Sequence, residues 1–330
     1  MKAIVITRSG GPDVLEVREV PTPEPGGGEI RVRVRAAGLN RADLMQCRGY
    51  YPAPKGSPID IPGLEFAGEV DALGPSTTGP LRLGDRVFGV VGGGGQAEYV
   101  ITHERLAVPV PENLDWEQAA AVPEVFLTAH DALETRGGLR PGGSVLIHAA
   151  GSGVGTAAVQ LAHAMGCTVL GTSRTGAKLR EMAALGLGLD VGIDTTHEAN
   201  FAEVVLRHTA GAGVDVVLDL LGAPALAGNL RALAECGRIV VVGLLGGGTG
   251  TVELSMLLKK RASIVGTTLR GRPLEEKIAA TQAFASRVLP WLRRGLVRPV
   301  VDRVFAFDAA RAAQERLESN LGLGKVVLRV

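Results

Sequence analysis

Short apolar or alternating runs bounded by Gly and Pro fill residues 1 to about 122. AIVIT, VLEVREV, EIRVRVRAAGL, FAGEVDAL, DRVFGVV and QAEYVIT read as strands, with PTPEPGGG and LGPSTTGPLRLGD as turns and loops between them. NRADLMQCRG reads as a helix. In LDWEQAAAVP, Asp115 with Gln118 three residues on makes a capping-box start; Pro123 interrupts that helix and EVFLTAHDALE continues as a second. From about residue 140 the rhythm changes to strand and helix in alternation. SVLIHAA, a helix from Val154 to Met165, TVLGTS, a helix over AKLREMAAL, VGID, a helix over FAEVVLRHT, VDVVLDLL, a helix over LAGNLRALAE, GRIVVVGLL, SMLLKKR and SIVGTTL follow in order. Six strands joined by crossover helices predict an α/β fold with a parallel, doubly wound sheet. The tail carries one long helix around EKIAATQAFASRVLPWLRRG and ends on GKVVLRV, a strand that can rejoin the first domain.

A chain of 330 residues suggests one large or two ordinary domains, and 46% apolar with 21% charged residues makes it globular. Thirty-five basic and 34 acidic side chains leave a net charge of +1, with no basic patch for nucleic acid or a membrane surface. Three widely spaced cysteines argue against a disulfide framework and fit a reducing, cytoplasmic setting. MKAIVITRSGG has only five apolar residues before Arg8, too few for a signal-peptide core. From Pro141 to Ser173 there is no Lys, Arg, Asp or Glu, but Gly142, Gly143, Gly151, Gly153, Gly155, His148 and His163 interrupt the run. A buried strand, turn, helix and strand explain it better than a membrane span.

Within that uncharged run, AGSGVG places Ala150, Ser152 and Gly155 at the three positions of a G-x-G-x-x-G turn. Such a turn needs small residues so that backbone N–H groups and the helix N-terminus can approach a pyrophosphate. The pattern is degraded, but it follows a strand and opens a helix, which is the context the motif requires. About 20 residues on, an acid would accept the ribose hydroxyls of NAD. Here the second strand ends GTSRTGAK, placing Ser173, Arg174 and Lys178 at that corner. Cations attract a 2′-phosphate where a carboxylate would repel it, so NADPH is expected over NADH.

LNRADLMQCRGYYPAP, GLEFAGEV, GGGGQAEYV, AAAVPEVFLTAH, IHAAGSGVGTAAVQLA, GRIVVVGLLGGG and NLGLGKVVL, in this order, cover essentially the whole chain. Together they resemble the medium-chain dehydrogenase/reductase superfamily and, within it, the zinc-independent quinone oxidoreductases of the zeta-crystallin group. LNRADLMQ, SGVGTAA and the GLLGGG turn look most like the tumour-suppressor-induced NADPH quinone oxidoreductase subgroup. Zinc members carry an early Cys, a Gly-His-Glu and a four-cysteine lobe. Here the first stretch, AAGLNRAD, has no Cys, Leu64 stands for the His, and FGVVGGGGQAEYV is too short for the lobe, so no metal is expected.

The resemblance implies a GroES-like β-rich catalytic domain over 1–123 and 268–330 and a Rossmann NADPH-binding domain over 124–267. It implies a homodimer or homotetramer as well. Asn40, Asp43 and Tyr51 would lie near the nicotinamide and substrate mouth and carry the catalytic roles, with Thr128 on the nicotinamide side. Ser152, Gly153 and Val154 would meet the pyrophosphate; Gly243, Leu244, Leu245 and Leu269 would flank the nicotinamide ribose and carboxamide. Asn320 and Lys325 match a C-terminal N…GK pattern, and Thr195 stands where many members have a tyrosine near the adenosine phosphate.

Reducing a quinone needs a hydride donor held face-on to the ring, and the product phenolate is stable enough to make a strong general acid optional. Tyr51 is either a hydrogen-bond donor to the developing oxyanion or an aromatic packed on the cleft mouth. Cys47 reads as a half-buried structural thiol, Cys167 and Cys236 as core, and His148 as a satisfied core histidine. The GGGG at 92–95 reads as a hairpin turn and the KKR at 259–261 as a solvated helix end. The expected activity is NADPH-dependent, metal-free quinone reduction. Reduction of activated alkenes (enones or enoyl thioesters) is the alternative within the class. A cofactor-binding structural or RNA-associated protein with little turnover is the alternative outside it.

Overall fold

The computed structural model describes residues 1–198 and 200–330. They form two compact units: residues 1–127, 269–295 and 299–330, and residues 128–268 with 296–298. The division falls a few residues from the sequence-based boundaries, because the helix beginning at Pro123 runs on to His130 across it.

The first unit opens with β1 (Lys2–Ile6) and β2 (Leu15–Glu19), paired antiparallel. β3 (Glu29–Gly38), α1 (Arg41–Cys47), β4 (Glu65–Leu73), β5 (Arg86–Val90), β6 (Tyr99–His103), β7 (Ala107–Pro109), α2 (Trp116–Ala120) and α3 (Pro123–His130) follow. In β3 the period-2 alternation turns Ile30, Val32 and Val34 inward, where they pack with Phe66, Val70, Val87 and Val100. The α2 start has the expected reciprocal cap, Gln118 N donating to Asp115 Oδ1 (2.7 Å) and Asp115 N to Gln118 Oε1 (3.2 Å).

The second unit alternates β8 (Ser144–Ile147), α4 (Gly153–Ala164), β9 (Thr168–Ser173), α5 (Gly176–Ala184), β10 (Val191–Asp194) and α6 (Phe201–His208). It continues with β11 (Val214–Asp219), α7 (Leu226–Ala232), β12 (Leu233–Val241), α8 (Leu254–Lys260) and β13 (Ser263–Gly266). All six strands are parallel, in the order β10-β9-β8-β11-β12-β13. Leu146, Leu170, Ile193, Val217 and Ile239 form the sheet's contribution to the core. The order reverses beside β8, so a ligand crevice is expected outside its C-terminal end.

The chain then returns to the first unit through α9 (Leu274–Arg287), α10 (Leu289–Arg293), β14 (Val301–Ala306), α11 (Ala310–Glu318) and β15 (Lys325–Arg329). β15 pairs antiparallel with β3 and parallel with β14, completing a seven-stranded sheet. Residues 296–298 pack with the second unit because Gln160 brackets Arg298: its Oε1 accepts Arg298 N and its Nε2 donates to Arg298 O, both at 2.9 Å.

Three expectations need correction. The single tail helix is two, broken near Val288, where Pro290 cannot donate its part of the helical ladder. The end of LAGNLRALAE is strand: β12 starts at Leu233 and shifts register between its pairings with Val214 and Val216, leaving Cys236 at φ +60° and exposed, not in the core. Lys260 is no solvated helix end, since its Nζ donates to Arg231 O (2.7 Å) and to Leu233 O, capping α7. Among the described residues no helix is long and apolar enough to cross a membrane.

Candidate active site

In the second unit β8 ends at Ile147, and Ala149 turns the chain at φ +48°. Ser152 then caps α4, its Oγ accepting Gly155 N at 3.1 Å. A Cβ on Gly155 would lie 2.4 Å from Ala149 O and 2.5 Å from Ala150 O, so only glycine lets the helix approach the strand end this closely. The first amides of α4, at Gly153 and Val154, have no intrahelical acceptor and carry the positive end of the helix dipole. A cradle of small residues, with donors and no carboxylate between 141 and 173, fits a pyrophosphate.

Behind the turn runs a buried polar chain. His148 is fully buried, with Nδ1 2.8 Å from Thr172 Oγ1 and Nε2 2.6 Å from Asn229 Oδ1. Asn229 Nδ2 donates to Asp219 Oδ2 (3.1 Å), whose Oδ1 receives Leu221 N and Gly222 N at 2.7 and 3.0 Å. Asp219 accepts only, so it orients the Asn229 amide; Nε2 of His148 must then carry the proton, and Nδ1 accepts from Thr172. Burial holds this imidazole below its usual pKa, in the neutral form. His148 is thus the satisfied core histidine expected. Asp219 and Asn229, which tie together the ends of β8, β9 and β11, carried no local sequence signal.

At the C-terminal end of β9 Ser173 Oγ is absorbed in a turn with Thr175, accepting its N–H and donating to its O, both at 3.1 Å. Thr195 donates to Ser173 O from both N (2.9 Å) and Oγ1 (3.3 Å). Arg174 is exposed and Lys178 half-buried. On the other side of the sheet Gly243 N and Leu245 N bond to Asp219 O (3.2 Å) and Leu220 O (3.1 Å), leaving the Leu244 and Leu245 side chains 58% and 49% exposed. Thr128, at the start of the unit, is half-buried.

The first unit holds a buried charge cluster. Lys325 Nζ donates to Leu39 O (2.6 Å), Asn40 Oδ1 (2.8 Å) and Glu65 Oε1 (2.6 Å). Glu65 Oε1 also accepts Asn40 Nδ2 (2.8 Å), and its Oε2 accepts Glu124 N (2.8 Å). Asp43 receives Asn40 N on Oδ2 (2.7 Å) and Gly63 N on Oδ1 (2.9 Å). Asp43 and Lys325 are therefore corrected: both are buried, and the three donors of Lys325 are spent inside the protein, so neither is presented to a ligand. They position Asn40 and α1. Arg270, unmarked in the sequence, is buried as well. It donates to Gly92 O (2.8 Å), Tyr51 O (3.0 Å) and Gln46 Oε1 (2.5 Å), with its guanidinium 5.0 Å from the Tyr51 ring centroid. Tyr51 and the 92–95 turn are held in place by it.

Desolvation pushes the Asp43 carboxyl up to about 6, against the opposing effect of its two backbone bonds. Desolvation and then the neighbouring Glu65 raise Glu124 to about 8. A carboxyl raised from 4.5 binds more protons folded than unfolded, so Glu124 makes stability fall as pH rises from about 4.5 to about 8. Glu124→Gln is expected to match the wild type near pH 4.5 and to exceed it by about 1–3 kcal/mol at pH 8.5 in urea denaturation. A gap that does not widen with pH would refute this placement of the charge.

Asn320 lies at φ +58° after α11, its Oδ1 accepting from Arg41 and its Nδ2 donating to Glu318 O (2.9 Å), apart from the Lys325 cluster. Leu269 is buried in the first unit. Cys47 is buried rather than half-buried; desolvation takes its thiol up to about 11, which keeps it inert. Among the described residues no group of three or more His, Cys, Asp or Glu side chains is placed to hold a metal ion.

Residues 26–112 match the family described as alcohol dehydrogenase GroES-like domain, and residues 153–286 that described as zinc-binding dehydrogenase. The chain is 37% identical to a quinone oxidoreductase of Pseudomonas aeruginosa over 99% of both proteins, and 30% identical to human quinone oxidoreductase over 99% of this chain and 97% of that one. A mycobacterial protein solved in complex with NADPH is similar along 100% of both chains, with 30% identity and a TM-score of 0.86.

Proposed function

The chain belongs to the medium-chain dehydrogenase/reductase superfamily, in its quinone oxidoreductase group, and is an NAD(P)-dependent oxidoreductase; from that premise we propose that it is an NADPH-dependent, metal-free reductase of quinones. The observation that carries the coenzyme half of this reading is the Gly155 contact, which brings the α4 N-terminus against the β8 turn. When bound, NADPH supplies a hydride to the electrophilic ring.

In this reading Ser152 and the amides of Gly153 and Val154 hold the pyrophosphate. Arg174 and Lys178 receive the 2′-phosphate, beside Ser173 and Thr195. Thr128, Gly243, Leu244 and Leu245 line the nicotinamide end, with Leu269 as a further contact implied by the family. Asn40, fixed through Glu65 and Lys325, and Tyr51, fixed by Arg270, orient the acceptor. Tyr51 donates a hydrogen bond to the oxygen that gains charge, a modest electrostatic aid. Asn320 packs against Arg41 and supports α1. Three free cysteines fit a cytoplasmic setting. The β13 edge strand, with Leu254 and Leu258 of α8 exposed beside it, supports pairing with a second copy as a homodimer.

The test is NADPH oxidation across ortho- and para-quinones, enones and enoyl thioesters, before and after chelation. Quinones should be turned over fastest, and activity should survive the chelator; loss with chelator would overturn the metal-free reading, and faster enone or thioester reduction the quinone reading. Negligible turnover on all of them with tight NADPH binding would favour a binding role. Arg174→Ala is expected to lower the NADPH/NADH affinity ratio about tenfold, the worth of one charge-assisted hydrogen bond at the low end. Calorimetric titration with both coenzymes checks this, and an unaltered ratio refutes the role of Arg174.

A further inference from the structure

The corner assigned above to the adenosine end of the coenzyme contains an acid as well as cations, and the inference rests on that assignment. Exposed Arg174 precedes α5, and Lys178 and Arg180 lie in its first turns. β10 runs parallel to β9 with Asp194 level with Ser173. Asp194 Oδ1 accepts from Thr196 N (3.0 Å) and Thr196 Oγ1 (2.6 Å). Its Oδ2 faces the start of α5: a Cβ built on Gly176 would come within 2.5 Å of it. Thr175, the residue at the N-cap position, makes no side-chain cap bond. The strand next door therefore supplies the anion that this helix start attracts.

In dinucleotide-binding sheets an acid at the end of the second strand accepts the ribose hydroxyls and repels a 2′-phosphate. Here that strand, β9, ends without one, and the carboxylate comes from the end of the adjoining strand instead. Two bonds from Thr196, both on Oδ1, leave it lone pairs for a further donor. A phosphate placed among Arg174 and Lys178 would share the corner with this fixed negative charge, whereas a ribose hydroxyl could donate to it. We propose that Asp194 is the specificity-determining residue of the coenzyme site. Seated on the first turn of α5, it accepts the ribose 2′-hydroxyl of NADH and opposes the 2′-phosphate of NADPH. Arg174 and Lys178 keep NADPH ahead, and Asp194 holds that lead to within about tenfold.

Asp194→Asn keeps the shape and an acceptor for Thr196 while removing the charge. Calorimetric titration of wild type and variant with NADPH and NADH reads the affinity ratio directly, without turnover. The variant ratio is expected to rise at least about tenfold, mainly through tighter NADPH. An unchanged or lower ratio, with both coenzymes binding the wild type, overturns the inference and leaves the coenzyme reading standing. Failure of both coenzymes to bind the wild type overturns both. Should the variant not fold, the wild type decides alone. Adenosine 2′,5′-bisphosphate is expected to bind no more than about tenfold tighter than AMP, and a larger preference overturns the proposal.

Discussion

Lys325→Met is expected to destabilise the first unit by about 3–5 kcal/mol, the cost of leaving one partner of a buried ion pair uncompensated. Lys325 and Glu65 have side chains only 4% and 0% exposed, with Nζ and Oε1 2.6 Å apart. Without the ammonium, Glu65 keeps its bonds from Asn40 Nδ2 and Glu124 N, but its negative charge loses the cation bonded to it. Leu39 O and Asn40 Oδ1 lose their donor at the same moment. The double variant with Glu65→Gln should recover a good part of the loss, because a neutral amide needs no cation and can still accept from Glu124 N. Urea denaturation of the two singles and the double measures the coupling. A single-variant loss below about 1 kcal/mol would mean that the pair is hydrated, contrary to its burial.

Gly155→Ala should remove coenzyme binding more completely than any charge change at the adenosine end. The added methyl would sit 2.4 and 2.5 Å from two backbone carbonyl oxygens, and neither can swing away as a side-chain tip could. Relief requires α4 to retreat from the β8 turn, taking with it the Ser152 cap and the amides of Gly153 and Val154. Loss of those donors together is expected to weaken NADPH binding by about 100-fold or more, two such bonds at about 1.5 kcal/mol each being enough. The overpacking itself should cost about 1–3 kcal/mol of stability. Titration beside a thermal melt separates the two effects. Wild-type affinity in a protein of lowered melting temperature would show that the turn packs the unit without holding the coenzyme.

What a short window of sequence can encode was legible in it. The Asp115–Gln118 cap, the inward Ile30, Val32 and Val34 of β3, the glycine turn and the six-strand parallel rhythm each depend on neighbours a few residues away. Periodicity and backbone sterics act at that range. Other features were settled only when distant segments met. Glu65 and Lys325 are 260 residues apart in the chain, Gln46 and Arg270 are 224 apart, and His148 reaches Asn229 across 81. The raised carboxyls of Asp43 and Glu124 come from desolvation by the packed fold, which no local pattern reports. The same is true of Cys236, expelled by a register shift, and of Asp194, set beside Ser173 by strand pairing. The sequence by itself determined most of the elements, their order and the small residues of the glycine turn after β8, because local sterics and period decide these. Tertiary structure alone decided which charges are buried and with whom they pair, because the free energy of a charge depends on the water that the whole fold removes from it.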